Sequence, residues 1–239
     1  MAIRVNENLD IYEGTNFPEE LKGKKAYILR GAFDTSAVVM FAQAGFLRAD
    51  TVEEADVVVF MGGTDVDPAL YKEKAHRYTQ WPDQKRDIFE KGIYEEAVRQ
   101  GKVCVGICRG QQMLHVLNGG KLWQHVEGHA GRDHLIYDID NDCLVLVNSM
   151  HHQMIRSEGA NGLEVIAVTA KPITMTFENE STKIAFDKDD DHNEIEIEAG
   201  AYNDTKCFFV QGHPEVGNIR YQSWFFNKLK DKMVEWGVI

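Results

Sequence analysis

Short runs of adjacent apolar, β-branched residues recur along the chain, at positions 26–29, 55–60, 103–107, 144–147, 164–168 and 207–210. The first three are continuous in the way that strands covered on both faces are. Between them lie stretches with helical spacing. Residues 35–44 and 111–117 each present one apolar face, and 83–99 places Ile88, Phe89, Ile93 and Ala97 at helical intervals with charge elsewhere. In 221–236, Phe225, Leu229, Met233 and Trp236 share one stripe. Strand–helix–strand alternation predicts an α/β fold with a mostly parallel central sheet flanked by helices on both sides. From Leu163 onward polar residues alternate with apolar ones, as in Ile195-Glu196-Ile197-Glu198, which predicts a small antiparallel or edge region in the second half. With no repeat or low-complexity linker, 1–239 reads as one domain. Residues 1–22 read as an arm or edge strand.

Composition narrows the function classes. The chain has 239 residues, 44% hydrophobic and 27% charged, with a formal net charge of -12. An acidic surface with no dense basic run argues against nucleic acid and anionic membranes as partners. The stretch Lys228-Leu229-Lys230-Asp231-Lys232 reads as the wet face of a helix. No segment approaches the roughly 20 apolar residues that span a bilayer, and Met1–Glu7 has no signal core. Cys104, Cys108, Cys143 and Cys207 form no Cys-x-x-Cys pair, which fits a reduced cytoplasmic protein with one special thiol and three structural ones.

That special thiol is Cys108. In Val103-Cys104-Val105-Gly106-Ile107-Cys108-Arg109-Gly110-Gln111-Gln112 a buried strand ends where a helix begins, with glycine two residues to either side of the cysteine. Small residues there permit a tight, strained turn that lifts a nucleophile clear of the sheet. A helix N-terminus favours thiolate, and the Arg109 N–H offers half of an oxyanion hole. A buried cysteine before an ordinary helix is the alternative. A base and its orienter are available in Gln211-Gly212-His213-Pro214-Glu215, where His213 follows an apolar strand. Gly62-Gly63, after another strand, lets backbone approach a ligand closely, and a plain turn is the alternative.

Together, Gly-Ile-Cys-Arg-Gly-x-Gln and the later Gln-Gly-His-Pro-Glu resemble the class I glutamine amidotransferases. Within that group the chain is most similar to the gamma-glutamyl hydrolase branch, which includes gamma-glutamyl-gamma-aminobutyrate hydrolase and is peptidase C26-like. Met61–Tyr71, Arg86-Asp87 with Glu90, Gly119–His125 and Val147–Gln153 resemble further segments of that branch, in order. The resemblance implies a flavodoxin-like three-layer fold and a cysteine-dependent amidohydrolase acting on glutamine or a gamma-glutamyl amide. It implies Cys108 as nucleophile, His213 as base, Glu215 as orienter, Gly63 and Arg109 as oxyanion hole, and Gln112, Ser149, His151 and His152 as substrate contacts. It implies no cofactor. A separate synthetase partner, taking ammonia from a glutaminase subunit, is the second reading. A non-catalytic protein on the same fold is a third, expected to lack a triad residue. The oligomeric state stays open, with a homodimer as one option. The chain departs from the branch at His125, at the first strand 25–31 and over 172–195, which bears on substrate identity.

Two further patterns carry less weight. His125, His129 and His134 form a His-x3-His-x4-His run without cysteine, and Gly128 and Gly131 point to a loop at the active-site mouth, so no metal site is expected. Asp187, Asp189 and Asp191 with Glu198 have calcium-loop spacing, but His192 stands where that loop needs glycine, so a solvated acidic loop is expected.

Overall fold

The computed structural model describes residues 9–186 and 195–239. In chain order the elements are β1 (Lys25–Ile28), α1 (Asp34–Gln43), β2 (Leu47–Arg48), β3 (Val57–Phe60), α2 (Gln84–Arg99), β4 (Val103–Ile107), α3 (Arg109–Leu117), β5 (Lys121–Trp123), β6 (His125–Val126), β7 (His134–Asp138), β8 (Cys143–Val147), β9 (Met154–Arg156), β10 (Leu163–Thr169), β11 (Thr176–Glu178), β12 (Lys183–Ala185), β13 (Ile197–Tyr202), β14 (Cys207–Val210) and α4 (Ile219–Glu235). Among the described residues, nine strands form one mixed sheet in the order β2-β1-β3-β4-β14-β13-β10-β7-β8. The pairs from β2 to β14 are parallel. Those from β14 to β8 are antiparallel.

Why the central strands read as unbroken apolar runs is now visible. Val57 and Val59 of β3, Val103, Val105 and Ile107 of β4, and Phe208 and Val210 of β14 pack on one side, with residues of α1 and α4. Val58 and Phe60, Cys104, and Cys207 and Phe209 pack on the other, with residues of α2 and α3. Both faces are covered, so no polar alternation survives. Side chains fix where two helices begin. The Asp83 carboxylate accepts the Lys85 and Arg86 N–H groups at the start of α2, and Asn218 accepts the Tyr221 N–H at the start of α4.

Two expectations need correction. The inward face of α2 is Asp87, Glu90, Tyr94 and Ala97, while Ile88 and Phe89 are exposed. The stripe misleads because two carboxylates turn inward to meet the buried Arg109 and the half-buried Arg86. Lys228 and Lys232 are not on a wet face but buried. Lys228 pairs with Asp138 at 2.7 Å, and Lys232 bonds Glu164 and Glu235. Strand β13 is antiparallel, one of the two expected forms, and lies inside the sheet with every residue buried. Glu196 just before it and Glu198 within it face His129 and His134. Residues 187–194, which include Asp187, Asp189, Asp191 and His192, lie outside the described residues. The described part of the N-terminal arm bonds to edge strand β8 through Tyr12 N–H and Leu144 C=O at 2.7 Å.

The turn from β4 into α3 depends on two close approaches. A Cβ on Gly110 would sit 2.0 Å from the Phe60 carbonyl oxygen, and one on Gly106 would sit 2.6 Å from the Gly110 carbonyl oxygen. A Cβ on Gly92, within α2, would meet no described atom within 4 Å apart from its chain neighbours and the nearby backbone of its own helix. Gly110→Ala should therefore destabilise the chain by about 1–3 kcal/mol through overpacking. Gly92→Ala should stabilise it by roughly 0.5–1 kcal/mol through helix propensity. Urea unfolding midpoints of the two variants, moving in opposite directions, check both.

Candidate active site

The carboxyl ends of adjacent parallel strands β4 and β14 bring the candidate residues together. Their register pairs Ile107 with Val210, and the Cys108 N–H donates to the Val210 carbonyl at 2.9 Å. Cys108 follows the last residue of one strand, and His213 lies three residues beyond the end of the other. Cys108 is held at φ 55°, ψ -109°, a conformation that non-glycine residues rarely adopt and that costs on the order of 1–3 kcal/mol. It is 7% exposed, at the N-terminus of α3.

The Cys108 side chain and the His213 imidazole both lie against Gly62, close enough for the thiol to act on the charge of the ring. His213 Nδ1 donates to Glu215 Oε1 at 2.7 Å, which leaves Nε2 for the sulfur. The backbone of His213 is held twice by Asn148, whose Oδ1 accepts the His213 N–H at 2.7 Å and whose Nδ2 donates to the His213 carbonyl at 2.8 Å. Phe33 packs edge-on against the imidazole with ring centroids 5.2 Å apart. Burial works against a charged imidazole here. Hydrogen bonds and charge attraction from Cys108 and Glu215 outweigh it and push His213 up to about 10.

The loop after β3 completes the arrangement. Gly62 packs so closely that a Cβ there would lie 2.9 Å from His213 Cε1 and 3.7 Å from Cys108 Cβ. The Gly62 carbonyl accepts from the Ala32 N–H at 2.9 Å and from Arg86 Nη1 at 3.0 Å. A trans peptide points its N–H opposite its carbonyl, so the Gly63 N–H is turned away from both donors. Gly63 has φ 151°, and Arg86 Nη1 occupies the space a Cβ would need, 2.1 Å away. Arg86 also bonds the Met61 carbonyl at 2.8 Å and Glu90 at 2.7 Å. The Arg109 guanidinium, 1% exposed, bonds Asp87 and Glu90. Three buried charges and the half-buried Arg86 thus join the Gly62-Gly63 loop to the first residue after Cys108.

The expected substrate contacts separate. Gln112 Nε2 is committed to the Gln153 carbonyl at 3.2 Å and Gln211 Oε1 at 3.3 Å. The Ser149 hydroxyl and His151 Nε2 are buried without a hydrogen-bond partner among the described residues. His151 Nδ1 faces the Gln153 carbonyl at 2.9 Å, so Nε2 carries a lone pair. His152 pairs with Asp65 at 3.1 Å. The histidine run is not one loop: His125 lies in β6 beside Tyr78 and His152, His134 begins β7, and His129 between them is fully buried. Sequence reading misses Phe33, Asn148 and Asp65. Asn148 and Asp65 carry a signal, within the Val147–Gln153 and Met61–Tyr71 segments, and Phe33 carries none.

The raised value at His213 fixes the sign of a pH effect. The charged imidazole stabilises the folded chain fully below its ordinary 6.5, and this contribution fades as pH climbs through about 10. Urea midpoints of the native chain and a His213→Asn variant should converge toward the alkaline end of that window. Parallel curves would contradict the charged pair.

Comparison with known proteins identifies the family and the fold. A family model described as Peptidase C26 matches residues 21–141, and one described as Glutamine amidotransferase class-I matches residues 83–232. Protein NtpR of Enterococcus hirae is 29% identical over 187 residues, covering 69% of each chain. The carbamoyl phosphate synthase small chain of Pectobacterium atrosepticum is 29% identical over 111 residues, covering 46% of this chain and 24% of that one. A glutamine amidotransferase structure from Thermotoga maritima shares the fold, with a TM-score of 0.53, 16% identity and coverage of 91% of this chain and 86% of that one. Among the described residues no helix is long and apolar enough to cross a membrane. With both family models each matching half of the chain or more, and the sheet and its strand-end cysteine as described, the chain belongs to the class I glutamine amidotransferase family, of the peptidase C26 type.

Proposed function

We propose that the protein is an amidohydrolase that cleaves the side-chain amide of glutamine or of gamma-glutamyl amides through a glutamyl thioester. The observation that carries this reading is the 2.7 Å bond from His213 Nδ1 to Glu215, with the imidazole's other side toward Cys108 on its strained turn. Cys108 thiolate attacks the side-chain carbonyl carbon. The oxyanion is received by the backbone N–H groups of Gly63 and Arg109, each worth about 3–4 kcal/mol when preorganised. His213 gives its proton to the departing amine, and the thioester remains. The imidazole then takes a proton from water as that water attacks the thioester, and glutamate leaves. Glu215 holds the imidazole tautomer throughout. Ser149 and His151, each with a buried unpartnered polar atom, are the groups best placed to meet a polar substrate.

A second reading, a glutaminase subunit that passes ammonia to a separate synthetase, uses the same residues. It draws support from similarity to a protein named a small chain. The two readings differ in the isolated chain's behaviour. Ready turnover of gamma-glutamyl amines favours the hydrolase, whereas glutamine hydrolysis that stays negligible until a partner is added favours the subunit.

Cys108→Ala should lower glutamate release from glutamine and gamma-glutamyl amides by more than about 1000-fold. Undiminished turnover would overturn the assignment. Arg86→Lys keeps the charge but loses the planar fork that holds two carbonyls of the Gly63 loop. Its kcat should fall on the order of 10- to 100-fold with KM nearly unchanged, as for a misplaced oxyanion donor. A loss confined to KM would make Arg86 a binding group instead.

A further inference from the structure

We infer that His129, His134 and Glu198 form a binding site for a divalent transition-metal cation of the zinc type. The inference departs from the sequence expectation, because Glu198 comes from a distant strand and no spacing joins it to the two histidines. One atom of each residue, two ring nitrogens and a carboxylate oxygen, lies within 4.8 Å of the others. Glu198 Oε1 is 3.1 Å from His134 Nε2 and 3.6 Å from His129 Nδ1. Tetrahedral ligands bound about 2.0–2.1 Å from a shared zinc ion stand roughly 3.3–3.4 Å apart. The two observed edges bracket that separation.

The surroundings fix how His129 presents itself. Its Nε2 faces Glu196 Oε2 at 2.9 Å, while Glu196 Oε1 accepts the N–H groups of Ile173 and Thr174, both at 2.9 Å. A carboxylate held in this way acts as acceptor, so Nε2 carries the proton and Nδ1 the lone pair. That Nδ1 is fully buried and has no hydrogen-bond partner among the described residues. A carboxylate that orients a histidine whose other nitrogen is free is the usual support of a metal ligand. Two imidazoles with one carboxylate suit zinc, cobalt or nickel rather than magnesium or calcium, which prefer oxygen. Three protein ligands leave a fourth position open.

Charge points the same way. Glu196 and Glu198 are each 2% exposed, and a dication beside them would neutralise two buried carboxylates. The site is separate from the cysteine and its base, yet it lies at the same end of the sheet. The Glu198 carbonyl accepts the Gln211 N–H at 2.7 Å, two residues before His213. A bound ion would pin the 127–133 segment to β13. The competing account is a purely hydrogen-bonded histidine–glutamate cluster that binds no ion.

The test uses the full chain in a Cys108→Ala background, so that the thiol supplies no ligand. After chelator treatment it is titrated with Co2+, and visible d–d absorption is followed. The expected result is one Co2+ per chain, displaced by Zn2+ and not by Mg2+. The band should vanish in His134→Ala and in Glu198→Gln and persist in a His76→Ala/His125→Ala double variant, which removes a stacked pair of imidazoles outside the three proposed ligands. Zn2+ affinity should fall by about 10- to 100-fold in Glu196→Gln, whose amide no longer supports His129 as a carboxylate does. Near-UV circular dichroism shows whether each variant is folded. X-ray absorption of the Zn2+-loaded Cys108→Ala chain, reporting two imidazoles, gives a readout that needs no ligand variant. The inference is overturned by the absence of a saturable band, by a band that survives both ligand changes, or by one lost in the His76/His125 variant.

Discussion

A lattice of four charges, three buried and one half-buried, beside the catalytic candidates sets the shape of this site. Arg86 and Arg109 share Glu90, Arg109 also bonds Asp87, and Asp87 accepts the Asp67 N–H at 3.0 Å. Isolated, any one of these charges would be costly to bury, but two of each sign at close range offset one another. The lattice fixes two stretches of backbone that sequence separates by more than forty positions. One is the carbonyl pair before Gly63. The other is the first turn of α3, directly after Cys108. Both proposed oxyanion donors are thereby held by one set of ion pairs, and neither can shift without disturbing the other.

Much of the architecture is legible in the amino-acid sequence, for a physical reason. Strands β4 and β14 are covered on both faces, so their boundaries coincide with unbroken apolar runs. Helix α4 presents its Phe225, Leu229 and Met233 stripe inward, as its spacing predicts. The short strands β5, β6, β9, β11 and β12 leave no such trace. Each has two or three residues, too few for periodicity to register. The errors cluster where charge is buried. A hydrophobic stripe predicts burial only if every inward charge lacks a partner. The Asp87–Arg109, Lys228–Asp138 and Lys232–Glu164 pairs break that rule, and each partner is distant in sequence.

The site shows the same division. Cys108, His213 and Glu215 announce themselves through local grammar: flanking glycines, strand ends and a proline. Asn148 and Phe33 act on His213 through contacts that only the folded chain creates. Asn148 fixes His213 by its backbone and Glu215 fixes it by its ring, so peptide and imidazole are constrained independently. Alternation alone makes Glu196 and Glu198 the outward-facing half of a strand. They are inward because an additional layer, the segment that carries His129, covers that side of β13.

Strand β14 is the seam between the parallel and antiparallel halves of the sheet, and this makes its alignment with β4 an all-or-nothing matter. A slip of one residue along that seam would translate His213 by about 3.3 Å and invert which side of the sheet each β14 side chain occupies. Phe208 and Phe209 would exchange compartments, an outcome that two filled interiors forbid. The spacing between sulfur and imidazole is therefore quantised by the packing of aromatic rings on either side. Gradual loosening of the outer strands leaves that spacing intact until the sheet itself comes apart.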